Sequence, residues 1–527
     1  MAASGIKKKI GIASLIMMAS VFGSRVLGLG REMVLAHIGG TSGAVDAYQI
    51  AFVLPEILNH VVASGFLSVT FIPIFSDYLA RNDPDEGWRA FEVILSGFGV
   101  LLLALMAASW LAAPLLVGWL APGLNDPATL NAAVSMTRII LPAQFFFFSG
   151  GMLMAVQYVH ERFLIPALAP LIYNLGIIAG GIWLGPTMGV SGFAWGVLAG
   201  AGIGNFALQL YGARKVGMAF RLSWNLRHPA LGRFIRLTLP LMLGLTLLFS
   251  TEIFFKLFGS FLPAGGIAGL NYALRVVLIL VGLSGQALGV ASYPFLARLA
   301  AEQRLDDMAR LLNDTLGYLA LVIPAAVLLI VLRQEVVLVL FQRGAFDTAS
   351  TALTSQVLGW LLIGAYGFAA QTVVVRGFYA LKNTLLPAIY TTLAVAASLP
   401  LYWLGLRWLG AAGIAMAISL SASLQVMVLY EVWVRRHGAA QGRTAYRPIA
   451  RMILISLPLG LGLGAGRALL VNYLPLAGID PGSFPGSLVI CLIVGALFMS
   501  LILLLGFRLN ISPIREVLQR RRSPGSA

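Results

Sequence analysis

The chain is a succession of apolar runs about twenty residues long, separated by short gaps rich in glycine, proline or charge. A bilayer core of roughly 30 Å is crossed by about 20 residues of α-helix, so residues 101–120, 316–332 and 488–505 read as spans. Strands of a membrane barrel alternate apolar and polar side chains, and these runs do not. Bounding each run at its breakers predicts an all-α polytopic membrane protein of about 14 transmembrane helices. Their centres fall near residues 24, 62, 103, 143, 174, 202, 245, 283, 320, 361, 395, 421, 461 and 496. Pro55 and Gly65 on helix two, and Gly282, Gly285 and Gly289 on helix eight, predict bends.

The pattern repeats at an offset of 221 residues. Pro73 matches Pro294, Tyr158 matches Tyr379, Pro166 matches Pro387, Gly189 matches Gly410 and Gly192 matches Gly413. The surrounding words agree as well: Phe163-Leu-Ile-Pro-Ala beside Thr384-Leu-Leu-Pro-Ala, and Gly189-Val-Ser-Gly-Phe-Ala beside Gly410-Ala-Ala-Gly-Ile-Ala. Helix two falls on helix eight, six spans later, so the copies share one orientation. This predicts two parallel six-helix lobes, residues 1–222 and 223–440, followed by two C-terminal helices and a basic tail in 441–527. Parallel repeats of this kind place a transporter's site between lobes near mid-depth. On helix thirteen, Gly460, Gly462, Gly464 and Gly466 give two small-xxx-small spacings suited to close helix packing.

Composition agrees with a bilayer environment: 527 residues are 59% hydrophobic and 11% charged, with mean hydropathy +0.89. The net charge of +16 would suggest nucleic acid in a soluble protein, but its placement indicates topology instead. Lys7, Lys8 and Lys9 precede the first span; Arg214, Lys215, Arg221, Arg227, Arg233 and Arg236 share one gap; Arg435, Arg436, Arg443, Arg447 and Arg451 share another; Arg515, Arg520, Arg521 and Arg522 close the chain. The alternate gaps at 39–45, 121–130, 185–192, 262–269 and 474–486 hold no lysine or arginine. The positive-inside rule then puts both termini in the cytoplasm. The first apolar stretch runs on to Ile38, longer than a signal-peptide core, and reads as a retained helix. Cys491 is the single cysteine, so neither a disulfide framework nor a cysteine metal site is expected.

Ionisable residues inside spans are costly unless they face a partner or a water-filled cavity, so they are candidate functional groups. Helix one carries Arg25, roughly 22 Å above its cytoplasmic end at 1.5 Å per residue, then Arg31 and Glu32. Arg25 and Glu32 share a helical face and Arg31 lies about 120° away, so one cavity can collect all three. Helix two begins at Asp46, which could equally cap a helix start, and continues with Glu56, Asn59 and His60 on one face. Helix eight carries Arg275. Glu252 and Lys256 on helix seven have the spacing of a self-neutralising pair, and Arg138 and Arg376 can extend toward an interface. Cations predominate, so an anionic ligand is expected. Organic-cation exporters would need an acidic excess instead, and a membrane transferase would need a carboxylate or metal constellation that the spans do not offer.

Soluble-enzyme motifs fail. Gly28-Leu-Gly-Arg lacks the third glycine of a dinucleotide loop, and Gly200-Ala-Gly-Ile-Gly lies within a span. Asp85-Glu86 and Asp306-Asp307 sit among arginines, as solvated faces do. No Walker loop is present, so no cofactor is expected. Membrane potential or an ion gradient is left to drive transport, the potential at roughly 2.3 kcal/mol per charge per 100 mV.

Particular words carry a resemblance. Ser24-Arg-Val-Leu-Gly-Leu-Gly-Arg-Glu, Val45-Asp-Ala-Tyr, Phe52-Val-Leu-Pro and Gly65-Phe-Leu-Ser-Val-Thr-Phe-Ile-Pro resemble the opening of the MurJ (MviN-like) lipid II flippase family. Tyr272-Ala-Leu-Arg, Ala287-Leu-Gly-Val, Arg343-Gly-Ala-Phe-Asp, Thr351-Ala-Leu-Thr and Gly377-Phe-Tyr-Ala extend it over nearly the whole chain. The resemblance implies the fold of the multidrug/oligosaccharidyl-lipid/polysaccharide exporter superfamily. It also implies a non-enzymatic transporter in the bacterial inner membrane, serving peptidoglycan synthesis and cell shape. Such a transporter moves undecaprenyl-pyrophosphate-linked disaccharide-pentapeptide from cytoplasmic to periplasmic leaflet by alternating access. Arg25, Arg31 and Arg275 correspond to the family's cavity arginines, and Glu32 and Asp46 to its acidic positions. Helix two departs from the pattern. Where the family has Leu-Leu-Arg-Arg and then Ala-Glu-Gly, this chain reads Ile57-Leu-Asn59-His60 and Ala63-Ser-Gly65. Asn59 and His60 thus stand where a cationic pair faces the substrate, which leaves another polyprenyl-linked oligosaccharide open as cargo, and an ion-coupled multidrug antiporter behind it.

Overall fold

A computed structural model describes residues 2–60, 66–218, 223, 225, 227–246, 250–437 and 444–508. Ala63, Ser64, Gly65, Arg221, Arg443 and the tail arginines Arg515, Arg520, Arg521 and Arg522 lie outside the described residues.

Among these residues the regular structure is helical, as the apolar runs predict. Every predicted centre except the one near 62, which is not described, lies within a helical span. Among the described residues, ten helices are long and apolar enough to cross a membrane. The pair Thr348–Ile363 and Ala365–Ala380, bent by 45°, makes an eleventh span. Leu385–His437 folds back at Gly410 and so serves as two of the predicted fourteen. The others correspond to broken helices: Gly43–Ala51, Val53–Leu58 and Phe66–Ala80 for helix two, and Pro229–Thr246 with Ser250–Gly259 for helix seven. The predicted bend in helix eight is a π-turn, Gly282–Gln286, between Gly266–Val281 and Ala287–Ala301. Extra residues in a π-turn locally interrupt the i→i−4 ladder and bend the helix.

Helix starts follow local chemistry. Asp83 accepts from the Glu86 N–H ahead of Pro84–Leu111, Asp126 from Ala128 and Thr129 ahead of Pro127–Ile140, and Asp347 from Ser350 ahead of Thr348–Ile363. A carboxylate there satisfies orphan N–H groups, and a proline next to it has no N–H to lose.

The repeat is visible in the backbone itself. Among the described residues, four that are not glycine adopt left-handed conformations, Asn82, Glu161, Gln303 and Lys382, with φ of 57°, 56°, 58° and 58°. They form two pairs, 82/303 and 161/382, each at the 221-residue offset. All four close a helix in one way: the next residue's N–H reaches back five positions, as from Asp83 to Tyr78, Arg162 to Gln157, Arg304 to Leu299 and Asn383 to Phe378. This is the Schellman closure, which normally favours glycine. Gly189 (φ 58°, ψ −137°) and Gly410 (φ 56°, ψ −128°) form a third pair, in a region that side chains avoid. The ion pairs Glu86–Arg89 and Asp307–Arg310 keep the same offset.

The chain forms two compact units. The first holds residues 1–268 with Arg343–Phe346, and the second residues 269–342 with 347–527. In the first, Phe71, Phe75, Phe91, Phe148 and Phe234 are buried in one apolar cluster. In the second, Ile490, Val494, Phe498 and Ile502 of the last helix pack with Leu332 and Leu463, so the C-terminal helix pair docks on Val322–Val331 and Arg333–Phe341. Of the glycines expected to pack helix thirteen, Gly460 does so, against Val327. Gly462, Gly464 and Gly466 face open space, because only one side of this helix meets the unit.

Candidate functional site

A polar cluster in the first unit lies between the first helix, Ala2–Gly39, and Leu164–Met188. Arg31 donates to Glu32 at 2.7 Å and to the Asn174 side-chain Oδ1 at 3.4 Å. Asn174 in turn donates to Ser24 at 3.2 Å and to the Pro170 carbonyl at 2.9 Å. Ser24 and Arg31 are two turns apart on one face, so one asparagine bridges both. Glu32 is 2% exposed and Asn174 7%, which fixes the Arg31 guanidinium as half of a neutralised pair. Arg25 shares a helical face with Glu32 by spacing, yet Arg25 is exposed and Glu32 buried. The predicted trio is therefore divided between exposed Arg25 and the Arg31–Glu32 pair, whose carboxylate is buried. Asn174 was missed in the sequence, although a lone asparagine in an apolar span is the signal that could have found it.

Helix two behaves differently from its sequence pattern. Asp46, 3% exposed, does not cap its own helix. It accepts from the N–H groups of Gly265 at 2.6 Å and Ala268 at 2.7 Å, around the start of the helix that begins at Gly266. Glu56 accepts from Lys256 at 3.1 Å, and this lysine is 5% exposed. Lys256 thus pairs with helix two, while the side chain of Glu252 lies outside the described residues. The His60 ring nitrogen Nδ1 stands 2.6 Å from the Glu56 carbonyl oxygen, which holds the imidazole along its own helix. Asn59 and His60 are both half-buried.

A cleft of about 770 Å³ opens beside this group, walled by Met33, Val34, Ile38, Ile182 and Pro186, with exposed His37 and Arg343 as its polar lining. The word Arg343-Gly-Ala-Phe is held there by the Ala345 N–H, which donates to the His37 carbonyl at 2.8 Å. In the second unit, Arg275 is half-buried on Gly266–Val281. Arg376, half-buried, donates to the Gln286 carbonyl at 3.4 Å beside the π-turn. Arg138 lies over the Trp110 ring at 4.5 Å and donates to its carbonyl at 3.1 Å.

Known proteins share this fold and sequence pattern. The family model for lipid II flippase MurJ matches residues 35–477. The chain is 27% identical over 525 residues to a probable lipid II flippase MurJ of Rhizobium meliloti (strain 1021), covering 96% of each chain. It is 28% identical over 438 residues to lipid II flippase MurJ of Burkholderia cenocepacia, covering 79% of this chain and 82% of that one. Among solved structures, a lipid II flippase MurJ in an inward closed conformation superposes with a TM-score of 0.74 at 24% identity, over 93% and 98% of the two chains. An inward-facing multidrug MATE transporter of the MOP superfamily gives 0.66 at 14%, over 80% and 96%. At those identities the structures establish the fold. With the family model running from the end of the first helix through the thirteenth, this polytopic membrane protein belongs to the MurJ family of lipid II flippases.

Proposed function

We propose that the chain carries lipid II, the undecaprenyl-pyrophosphate-linked disaccharide-pentapeptide, from the cytoplasmic to the periplasmic leaflet by alternating access. The match of the family model to residues 35–477 carries this reading. The chemistry of the first helix is consistent with it. A pyrophosphate is best held by a planar guanidinium fork, and Arg25 presents one on the exposed face of a membrane-spanning helix. Arg31, already engaged with Glu32 and Asn174, contributes a fixed positive end rather than a mobile contact. Arg275, Asn59 and His60 are the further substrate contacts in this reading, and Glu32 and Asp46 hold their surroundings in place.

The lysine and arginine asymmetry between gaps orients the protein in the inner membrane with both termini in the cytoplasm. Membrane potential or an ion gradient drives the cycle, without a bound cofactor. Asn59 and His60 favour a second reading, in which the cargo is another polyprenyl-linked glycan, because the cationic pair expected at those positions is absent. A leaflet-exchange assay in proteoliposomes separates the two. Lipid II exchanged faster than other polyprenyl-pyrophosphate glycans supports the first reading, and the reverse order supports the second. Collapse of an imposed potential slows exchange if the potential drives it.

A further inference from the structure

Two arginines are given no role in transport above: Arg138, within the span Pro127–Val159, and Arg333, just past the end of the span Leu305–Val331. Each stands beside a tryptophan, at the level where the third span of its half bends. In the first unit the bend is at Ala112, between Pro84–Leu111 and Ala113–Leu120. There Arg138, roughly 17 Å along its helix from Pro127, covers the ring of Trp110. In the second unit the bend is at Leu332, between Val322–Val331 and Arg333–Phe341. Trp360 lies roughly 18 Å along the neighbouring helix from Thr348. The repeat mate of Arg138 is Gly359, and the Arg333 stem crosses it so closely that a Cβ there would stand 3.2 Å from Arg333 Cδ. The two halves therefore put an arginine and a tryptophan at one station but draw them from opposite helices.

Around Arg333 the structure has a cleft of about 440 Å³, lined by Gln334, Ser355, Gln356 and Trp360 with Ile330 and Ile363. Arg333 donates through one nitrogen to the Ile330 carbonyl at 2.9 Å, a small part of the five N–H groups of a guanidinium. The nearest carboxylate in sequence, Glu335, is 4% exposed and committed to Arg467, whose Nε donates to it at 2.7 Å. The cleft is therefore cationic and rich in amide and hydroxyl groups. Its side is hydrocarbon-like, with Ile363 58% exposed.

We infer that this cleft binds the phosphate of an anionic phospholipid of the outer leaflet, with the acyl chains running along Ile330 and Ile363. An arginine at the end of a span, beside apolar surface, needs a partner or water, a guanidinium matches phosphate bidentately, and tryptophan settles at headgroup level. The volume accepts a glycerophosphate headgroup and not a disaccharide-pentapeptide, so this site is distinct from that of the proposed cargo.

The test is native mass spectrometry of the full-length protein titrated with phosphatidylglycerol, uncharged diacylglycerol and lipid II. Arg333→Gln is expected to weaken phosphatidylglycerol retention about tenfold and Gln356→Ala severalfold, with diacylglycerol and lipid II unchanged and with the exposed control Arg298→Gln like wild type. Equal phosphatidylglycerol retention by wild type and Arg333→Gln overturns the inference. So does loss of lipid II with phosphatidylglycerol intact, which would assign the cleft to cargo. If Arg333→Gln fails to fold, Gln356→Ala decides alone, and unchanged retention in that variant overturns the inference.

Discussion

Removing the Asp46 carboxylate should release the start of the helix at Gly266. In the structure, this 3% exposed side chain is bonded to two backbone N–H groups, Gly265 at 2.6 Å and Ala268 at 2.7 Å. Net contributions of hydrogen bonds to a charged acceptor run about 1.5–3 kcal/mol, and an orphaned buried donor costs about 1–3 kcal/mol. For Asp46→Ala, with two donors stranded, about 3–5 kcal/mol of local stability is lost. Asp46→Asn keeps one acceptor oxygen but brings an NH2 group against the second N–H, so it costs about 1–3 kcal/mol. The readout is amide hydrogen exchange by mass spectrometry on the peptide containing Gly265 and Ala268, in detergent or nanodiscs. Since 1.36 kcal/mol is a factor of ten, Asp46→Ala should accelerate exchange there by about a hundredfold or more, and Asp46→Asn by about tenfold. Unchanged exchange in Asp46→Ala, with the protein otherwise folded, would refute the structural role given to this carboxylate.

Three further outcomes follow from the geometry. Gly189→Ala and Gly410→Ala force a side chain into matching left-handed conformations, so each should lower stability by about 1–3 kcal/mol, read as a drop in midpoint in thermal unfolding. Glu56→Gln leaves buried Lys256 without its carboxylate. It should destabilise by about 1–3 kcal/mol, less than a fully buried pair because Glu56 is partly exposed, and Glu56→Gln with Lys256→Met should recover most of that loss. The Asp126 carboxyl is held below the usual carboxylate range by the Thr129 hydroxyl, then by the N–H groups of Thr129 and Ala128. A depressed folded pKa means that its stabilisation is present above the ordinary carboxylate pKa and is lost as pH falls through the folded value. Protection of the Ala128 and Thr129 amides, corrected for the intrinsic pH dependence of exchange, should therefore be flat from pH 8 to 6 and fall only in acid, and a fall near neutrality would contradict the assignment.

Much of the fold was legible because bilayer crossing demands long apolar runs, and because a gene-length repeat leaves matched prolines and glycines. Gly189 and Gly410 were matched by letter alone and prove to share a backbone conformation. The closures at Asn82, Glu161, Gln303 and Lys382 were not legible, because none of them is glycine and their left-handed φ is imposed by the helix ending. Within the site, Arg31 and Glu32 were visible as intramembrane charges, but their pairing and the role of Asn174 needed the packing of two helices 143 residues apart in sequence. Lys256 also pairs across helices with Glu56, 200 residues away, a contact that no spacing along one helix points to. Asp46 read equally as a cap or a ligand group, and the N–H donors it accepts from lie about 220 residues away, where no local pattern points.

The central claim is transport of lipid II through a site that uses Arg25. The most direct measurement is the rate of lipid II exchange between leaflets in proteoliposomes holding equal amounts of folded wild type and Arg25→Ala. The account predicts rapid exchange by wild type and a loss of about tenfold or more in the variant, with unfolding midpoints alike. Wild type that leaves lipid II in its original leaflet, or Arg25→Ala that exchanges it at the wild-type rate, would contradict it.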